Sequence, residues 1–80
     1  MLDENAFYFT IQVGSFENSD NAQKLKENLE KLGFKPELSQ VQKKGKNFYR
    51  IRTGRFDKKE EVLNYLSELQ AKGYSGIICP

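Results

Sequence analysis

Residues 7–16 read Phe-Tyr-Phe-Thr-Ile-Gln-Val-Gly-Ser-Phe, and this stretch decides the fold. In its first seven residues, apolar side chains occupy the odd positions and the even positions are more polar. That is the period of a strand with one buried face. We expect the strand to end at Gly14, because a residue without a Cβ tolerates a turn of the backbone. The stretch therefore predicts a first strand over residues 7–13.

The pattern returns in residues 49–56, which read Tyr-Arg-Ile-Arg-Thr-Gly-Arg-Phe, at an offset of 40 residues. Gly54 then corresponds to Gly14, and Phe56 corresponds to Phe16. A period change to that of an amphipathic helix follows each glycine. The repeat predicts two similar halves that contribute one central strand each.

The apolar stripes predict helices over residues 18–32 and 57–72. We expect Gly33 and Gly73 to follow their last turns with positive φ, where a left-handed residue closes a helix. Asn18 or Ser19 is expected to cap the first helix. Asp57, with Glu60 three residues later, is expected to cap the second. Shorter strands are predicted at 37–42, 48–53 and 76–79, with a polar, lysine-rich turn at 43–47.

The resulting order, β-α-β-β-α-β, predicts an α+β fold, a ferredoxin-like sandwich with a four-stranded antiparallel sheet and two helices on one face. The sheet order is 4-1-3-2, with strands 1 and 3 as central neighbours. Residues 1–6 are expected to form a disordered lead, and 7–80 a single domain. The residues predicted to face the helices or fill the core are Phe7, Phe9, Ile11, Val13, Leu25, Leu29, Tyr49, Ile51, Thr53, Leu66 and Leu69.

The opposite sheet face has no element to cover it. Strand parity gives this face an exposed aromatic residue on a central strand, beside arginines and an amide. An aromatic ring stacks on flat groups, arginine presents a rigid fork to anionic oxygens, and an amide both donates and accepts. The pairs that the simplest register predicts are Gln12 with Phe48, Thr10 with Arg50 and Tyr8 with Arg52, and a slip by two residues preserves the faces.

Two readings of this face are open. Tyr8 and Thr10 fit ordinary solvated strand positions. An exposed Phe48 on a central strand, with Gln12 and Arg50 nearby, favours a recognition surface for a polymer.

Four motifs together resemble the SPOR (sporulation-related repeat) domain family. They are Ile-Gln-Val-Gly-Ser-Phe at 11–16, Leu-Gly-Phe at 32–34, Phe-Tyr-Arg-Ile-Arg-Thr-Gly-Arg-Phe at 48–56 and Lys-Gly-Tyr at 72–74. The resemblance runs from Phe7 to Ile78 and implies the same β-α-β-β-α-β fold. It also implies a module that binds peptidoglycan and prefers glycan strands denuded of stem peptides.

The resemblance further implies a place in the cell envelope, as part of a longer exported or membrane-anchored protein that acts in division, sporulation or wall remodelling. The binding positions it implies are Gln12, Ser15, Phe48, Arg50 and Ile78, and Tyr8 and Arg52 join them by sharing the open face. Ser15 lies past Gly14 and is expected to reach the face from a loop.

The chain departs from the family pattern at two positions. Phe48 stands where tryptophan is frequent, which weakens stacking. Arg55 stands where a small residue or proline is more usual, and it either extends the site or has no effect.

Composition bounds the alternatives. Thirteen basic and eleven acidic residues give a net charge of +2, too weak by itself to indicate nucleic-acid or membrane binding. There is no histidine, Cys79 is the sole cysteine, and no metal-ligand spacing or phosphate loop appears, so we expect no catalytic residues, no metal and no cofactor. The chain is expected to act as a monomer without membrane insertion.

The main rival is a single-stranded RNA-binding module of the RRM type, which has this topology and stacks bases on strands 1 and 3. The third strand lacks that module's aromatic signature, which disfavours RNA binding. A protein-docking module is the other alternative.

Overall fold

The computed structural model describes residues 9–79 and has the predicted order of elements. The strands are β1 (Phe9–Phe16), β2 (Pro36–Lys43), β3 (Lys46–Phe56) and β4 (Ile77–Cys79), and the helices are α1 (Ser19–Lys31) and α2 (Lys59–Ala71). The sheet order β2-β3-β1-β4 is antiparallel throughout and places β1 beside β3, as predicted. The predictions for residues 1–6, Phe7 and Tyr8 lie outside the described residues.

The core lies between the two helices and one face of the sheet. Within residues 9–79, its buried apolar members are Ile11, Ala22, Leu29, Phe34, Ile51, Val62 and Leu69. Ile11 and Ile51 of the central strands and Leu29 and Leu69 of the helices are buried, which confirms the prediction for these four residues. Phe9, Leu25 and Leu66 are half-buried and pack against the edge of this core. A domain of this size covers its peripheral side chains incompletely.

One polar contact ties α2 to the sheet. The hydroxyl of Thr53, which is 1% exposed, lies 3.0 Å from the hydroxyl of Tyr65. The Tyr65 ring in turn contacts Phe34 edge-on at 5.2 Å and Phe56 at 5.0 Å between ring centres. The hydrogen bond satisfies a polar group that would otherwise be buried without a partner.

Both central strands continue past the glycines that were expected to end β1 and β3. Gly54 adopts φ 82° within β3, and the β1–β3 register shifts there and again between Gln12 and Gly14. Each shift is a β-bulge, in which one strand carries an extra residue. A Cβ on Gly14 would lie 2.8 Å from the ring of Phe16, and one on Gly54 would lie 2.3 Å from the ring of Phe56. Each glycine thus makes room for the ring of the phenylalanine two residues later. The strand continues through the glycine, and the backbone does not turn there.

The pairs predicted between β1 and β3 were wrong. Gln12 lies opposite Arg52 rather than Phe48, and Ser15 lies opposite Arg50. The reason is that β1 extends to Phe16 and β3 starts at Lys46, so the two strands overlap over more of their length than predicted. Because β1 extends to Phe16, Ser15 lies within the strand and not in a loop, and the extra residue in β1 turns it to the open face.

Of the four helix ends, three are as the sequence predicts. Gly33 and Gly73 have φ of 94° and 93°, as predicted, and the amides of the residues after them donate to the carbonyls of Leu29 and Leu69. The side chain of Asn18 caps α1 by accepting from two backbone amides. The expectation of an Asp57 cap for α2 was wrong.

Lys58 occupies the N-cap of α2 and makes no side-chain capping hydrogen bond. At the repeat offset, Lys58 corresponds to Asn18 and Asp57 corresponds to Glu17. The N-cap therefore lies at the same position of the repeat in both helices, but the second helix has no side chain there that accepts from the backbone amides.

Candidate functional site

The uncovered sheet face is built as rows of side chains that cross the strands. In one row, Ser15 of β1 faces Arg50 of β3, and Arg50 faces Ser39 of β2. In the next row, the order across the sheet is Ile77, Gln12, Arg52 and Glu37. Directly opposed residues on one face lie close enough for their side chains to interact. The rows show that β2 and β4 contribute to the face as well as the two central strands.

Three of the predicted binding residues line one cavity. Ser15, Phe48 and Arg50 surround a space of about 130 Å³, together with Val41 and Lys43 of β2. Phe48 is half-buried and stands opposite Val41. An aromatic ring, a guanidinium and a hydroxyl therefore converge on one small concavity of the open face.

Phe48 also borders a larger groove at the hairpin between β2 and β3. This groove of about 550 Å³ is lined by Phe48 and by three lysines, Lys43, Lys44 and Lys46. The lysines are exposed, as expected for a polar turn, and Lys44 and Gly45 form its two-residue tip with φ of 50° and 80°. The hairpin is thus continuous with the Phe48 end of the face.

Gln12 lies in a neighbouring groove and not in the Phe48 cavity. The groove, of about 270 Å³, lies between β1 and the start of β4 and includes Gln12, Ser15 and Ile77. Ser15 belongs to both cavities, so it connects Gln12 with Phe48 and Arg50.

Ile78 lies on the other side of the sheet from these residues. It pairs with the buried Ile11 and packs against the core, whereas Ile77 pairs with Gln12 and is 66% exposed. Ile78, which the resemblance gives as a binding position, therefore lies on the core side of the sheet. The cause is the register of β4, which three residues of sequence do not specify.

The two central arginines are held against the sheet. Arg50 and Arg52 are half-buried, and their Nε atoms are buried with no hydrogen-bond partner within residues 9–79. In the same part of the chain, the ion pairs are Lys26 with Glu30 and Lys46 with Glu17, neither of which involves these arginines. A buried donor without a partner carries a free-energy cost.

Thr10 differs from its predicted solvated state. It is 7% exposed, and its hydroxyl donates a hydrogen bond of 3.2 Å to the backbone carbonyl of Thr53. It lines a cavity together with Arg52 and Arg55, whose long side chains lie at the same end of the face. Tyr8, the remaining predicted member of the face, lies outside the described residues.

Sequence reasoning missed Ser39, Val41 and Ile77, which complete the rows. The parity of β2 would have found the first two, since residues 37, 39 and 41 alternate with the half-buried Leu38. Among residues 9–79, no group of three or more His, Cys, Asp or Glu side chains is arranged to hold a metal ion. Neither α1 nor α2 is long and apolar enough to cross a membrane.

Comparison with known proteins places these features in a family. The family model described as the SPOR domain matches residues 5–80. Comparison with curated protein sequences gives no match.

Two solved structures are similar to the chain. The crystal structure of the RlpA SPOR domain from Pseudomonas aeruginosa superposes with a TM-score of 0.78 at 23% identity, covering 90% of this chain and 97% of that one. The solution structure of the peptidoglycan binding domain of the B. subtilis cell wall lytic enzyme CwlC gives 0.74 at 24% identity, covering 98% and 96%. At these identities, the likeness establishes the fold.

Proposed function

Because the chain belongs to the SPOR domain family, we propose that it is a non-catalytic module that binds the peptidoglycan of the bacterial cell wall through its uncovered sheet face. The observation that carries this proposal is the cavity that Ser15, Phe48 and Arg50 line together. The domain acts as a monomer in the cell envelope, binds no nucleic acid and inserts no segment into the membrane. It brings a longer exported or anchored protein to the septum or to sites of wall remodelling.

The preferred ligand in this proposal is a glycan strand from which the stem peptides have been removed. Removal of a stem peptide leaves a free carboxylate on the lactyl group of each N-acetylmuramic acid. Arg50 pairs with such a carboxylate, and Arg52 supports it from the next row. A hydrogen bond to a charged group contributes about 1.5–3 kcal/mol, more than a neutral one.

The remaining residues contact the sugar itself. Phe48 stacks on the apolar face of a sugar ring, and Gln12 and Ser15 form hydrogen bonds with N-acetyl groups and hydroxyls across the groove that they share. Stem peptides would replace the carboxylate by an amide and would occupy the space above the sheet. The proposal omits Ile78, because this residue packs against the core. It includes Ile77 instead, which is exposed on the open face.

The test is co-sedimentation of purified domain with wall sacculi before and after amidase treatment. The parent domain is expected to bind treated sacculi more strongly. Phe48→Ala is expected to be among the most damaging changes, because it removes a large apolar contact. Gln12→Ala is expected to weaken binding by about 0.5–1.5 kcal/mol, the contribution of neutral hydrogen bonds.

The control variant is Lys24→Ala, an exposed residue of α1 on the opposite side of the sheet. Lys44 of the hairpin is unsuitable as a control, since it borders the groove beside Phe48. Circular dichroism checks that each variant is folded. Folded Gln12→Ala and Phe48→Ala variants that sediment like the parent domain would exclude the sheet face as the binding surface.

A further inference from the structure

The row of side chains beyond Phe48 on the open face consists of lysines. Lys43 of β2 lies directly opposite Lys46 of β3, two residues along β3 from Phe48. Lys44 follows in the turn, and the three lysines line the groove of about 550 Å³ beside Phe48. This hairpin groove has a volume within the roughly 300–1,000 Å³ of typical ligand sites.

The backbone at the tip of the hairpin disfavours lysine. Lys44 has φ of 50° and Gly45 after it has φ of 80°, the two positive values of a type I′ turn. Among residues 9–79, Lys44 is the only residue other than glycine with positive φ. Asparagine, aspartate or glycine is usual at this position, because most residues with a Cβ are disfavoured in the left-handed conformation. Lys44 therefore lowers the stability of the hairpin relative to asparagine.

The lysine pair at the ends of the two strands is also unfavourable for folding. Like charges directly opposite each other on a sheet repel. The carboxylate of Glu17 lies 3.9 Å from the Nζ of Lys46, and both side chains are exposed, so this ion pair offsets little of the repulsion. Within residues 9–79, the other ion pair is in α1, and Lys43 and Lys44 take part in neither.

Residues that break local rules without a structural gain are expected at functional sites. We propose that the hairpin groove binds a phosphate group esterified to a sugar of the glycan strand, a subsite that rests on the glycan binding proposed above. Lysine ammonium groups are mobile point charges that bind phosphate, and several of them can approach one phosphate from different sides. A phosphate monoester carries a charge of about −1.5 to −2 at pH 7, so it attracts each ammonium more strongly than a carboxylate does.

Lys43 joins the hairpin groove to the site of the sugar. It lines both this groove and the cavity of Phe48 and Arg50. Lys46 and Phe48 are two residues apart on one face of β3, a spacing of about 7 Å. A phosphate on a sugar that stacks on Phe48 is therefore within reach of the lysine side chains. The subsite adds a preference for phosphate-substituted stretches of the strand.

The test is calorimetric titration of the domain with denuded glycan fragments of one length, with and without a phosphate on a primary sugar hydroxyl. The parent domain is expected to bind the phosphorylated fragment roughly tenfold more tightly, the combined effect of two exposed ion pairs. Lys44→Asn and Lys43→Gln are each expected to reduce this preference about threefold, the effect of one such pair.

Two variants serve as controls for charge and position. Lys44→Arg keeps the positive charge at the same backbone position and is expected to retain the preference. Lys24→Gln removes a positive charge from α1, on the far side of the sheet, and is expected to retain it as well.

Stability is expected to change in the opposite direction from binding. Asparagine suits the left-handed position of Lys44, and Lys43→Gln removes the repulsion from Lys46. Both variants are therefore expected to unfold at a higher urea concentration than the parent domain. A lower unfolding midpoint in either variant would give that lysine a structural role and would remove the reason for a ligand.

Two other phosphate-bearing ligands are compared with the phosphorylated fragment. They are a single-stranded oligouridylate and vesicles that contain phosphatidylglycerol, and each is expected to bind more weakly. Tighter binding to the RNA or to the vesicles, reduced in Lys44→Asn, would assign the groove to that ligand and overturn the proposal.

Equal affinity of the parent domain for the two glycan fragments would overturn the subsite and leave the proposed function intact. A preference that Lys44→Asn and Lys43→Gln both retain, or that Lys24→Gln loses equally, would also overturn the subsite. If the parent domain binds neither fragment, the proposed function fails together with the subsite.

Discussion

Two Gly-x-Phe triplets, at 14–16 and 54–56, show how single residues shape the central strands. In each triplet, the phenylalanine ring lies where the Cβ of any other residue at the glycine position would stand. Phe16 and Phe56 both pack against the core, so the ring position is set by tertiary packing. The missing side chain accommodates the ring, and the local bulge then turns residues 15 and 55 toward the open face.

At the residue scale, Gly33→Ala and Gly73→Ala are expected to lower the free energy of unfolding by roughly 1 kcal/mol each, because a Cβ is disfavoured at positive φ. A Cβ would meet no atom within 4 Å at either position, so the cost arises from the backbone alone. Urea denaturation monitored by circular dichroism measures it.

Gly33→Asn is the matched variant, since asparagine tolerates the left-handed conformation better than alanine does. It is expected to cost less than Gly33→Ala. If Gly33→Ala and Gly33→Asn lower the free energy of unfolding equally, or if neither changes the unfolding midpoint, then the left-handed glycine after the helix does not contribute to stability.

The two helices can be compared directly, because they occupy equivalent positions in the two halves of the repeat. Both have 13 residues, and both end in the same pattern of backbone hydrogen bonds around a glycine. They differ at their starts, where Asn18 caps α1 and Lys58 leaves α2 without a side-chain cap. The N-cap backbones are similar, with φ and ψ of −98° and 121° at Asn18 and −113° and 136° at Lys58.

At the element scale, Asn18→Ala is expected to destabilise the domain by about 1 kcal/mol, because two backbone amides of α1 lose their acceptor. Lys58→Asn is expected to stabilise it by up to about 1 kcal/mol, since the backbone already has the geometry of a capped start. Thermal and urea denaturation of the two variants measure both effects.

The control is Lys58→Gln, which removes the same charge without providing a good cap. Any gain shared by Lys58→Gln reflects relief of the unfavourable charge at the helix N-terminus, and the excess of Lys58→Asn reflects the cap. An Asn variant no more stable than the Gln variant would show that the second helix gains nothing from a side-chain cap.

The whole molecule has two sheet faces with separate roles. One face is covered by both helices and holds the apolar core. The other carries aromatic, hydroxyl, amide and guanidinium groups in rows across four strands. Stability and the proposed recognition therefore depend on different residues, so truncation of open-face side chains is expected to leave the fold intact.

At the scale of the whole molecule, salt dependence distinguishes glycan binding from RNA binding. Affinity for a single-stranded nucleic acid falls with salt at a log–log slope of about 0.7 per phosphate contact, so several contacts give a steep fall. A stacked and hydrogen-bonded sugar site with one or two ion pairs is expected to give a shallow one. Titration with denuded glycan and with a single-stranded RNA, each over a range of salt concentrations, measures both slopes.

Tight RNA binding with a steep slope, accompanied by weak binding to glycan, would favour the RNA-binding alternative. A shallow slope with glycan and weak RNA binding agrees with the proposed function. The hairpin lysines are the residues most able to raise the slope, because they line the groove beside Phe48.

By itself, the sequence determined the order of elements, the sheet order, the centre of the core and the helix ends at Gly33 and Gly73. These features follow from short-range periodicity and from residues whose backbone preferences are strong. The resemblance in the motif at 11–16 and its partner at 48–56 also identified the family that the comparisons confirm.

Only the tertiary structure decided which open-face residues meet. Strict alternation paired Gln12 with Phe48, whereas the longer overlap of β1 with β3 pairs Gln12 with Arg52, and the bulge in β1 brings Ser15 to the open face opposite Arg50. The tertiary structure also places Ile77, and not Ile78, on the open face. Arg55 and Arg52 line the same cavity there. A bulge depends on where a phenylalanine ring packs against a helix and a neighbouring strand, and those contacts join residues far apart in the chain. Periodicity within one strand does not contain that information, because a single extra residue exchanges the faces of every residue after it.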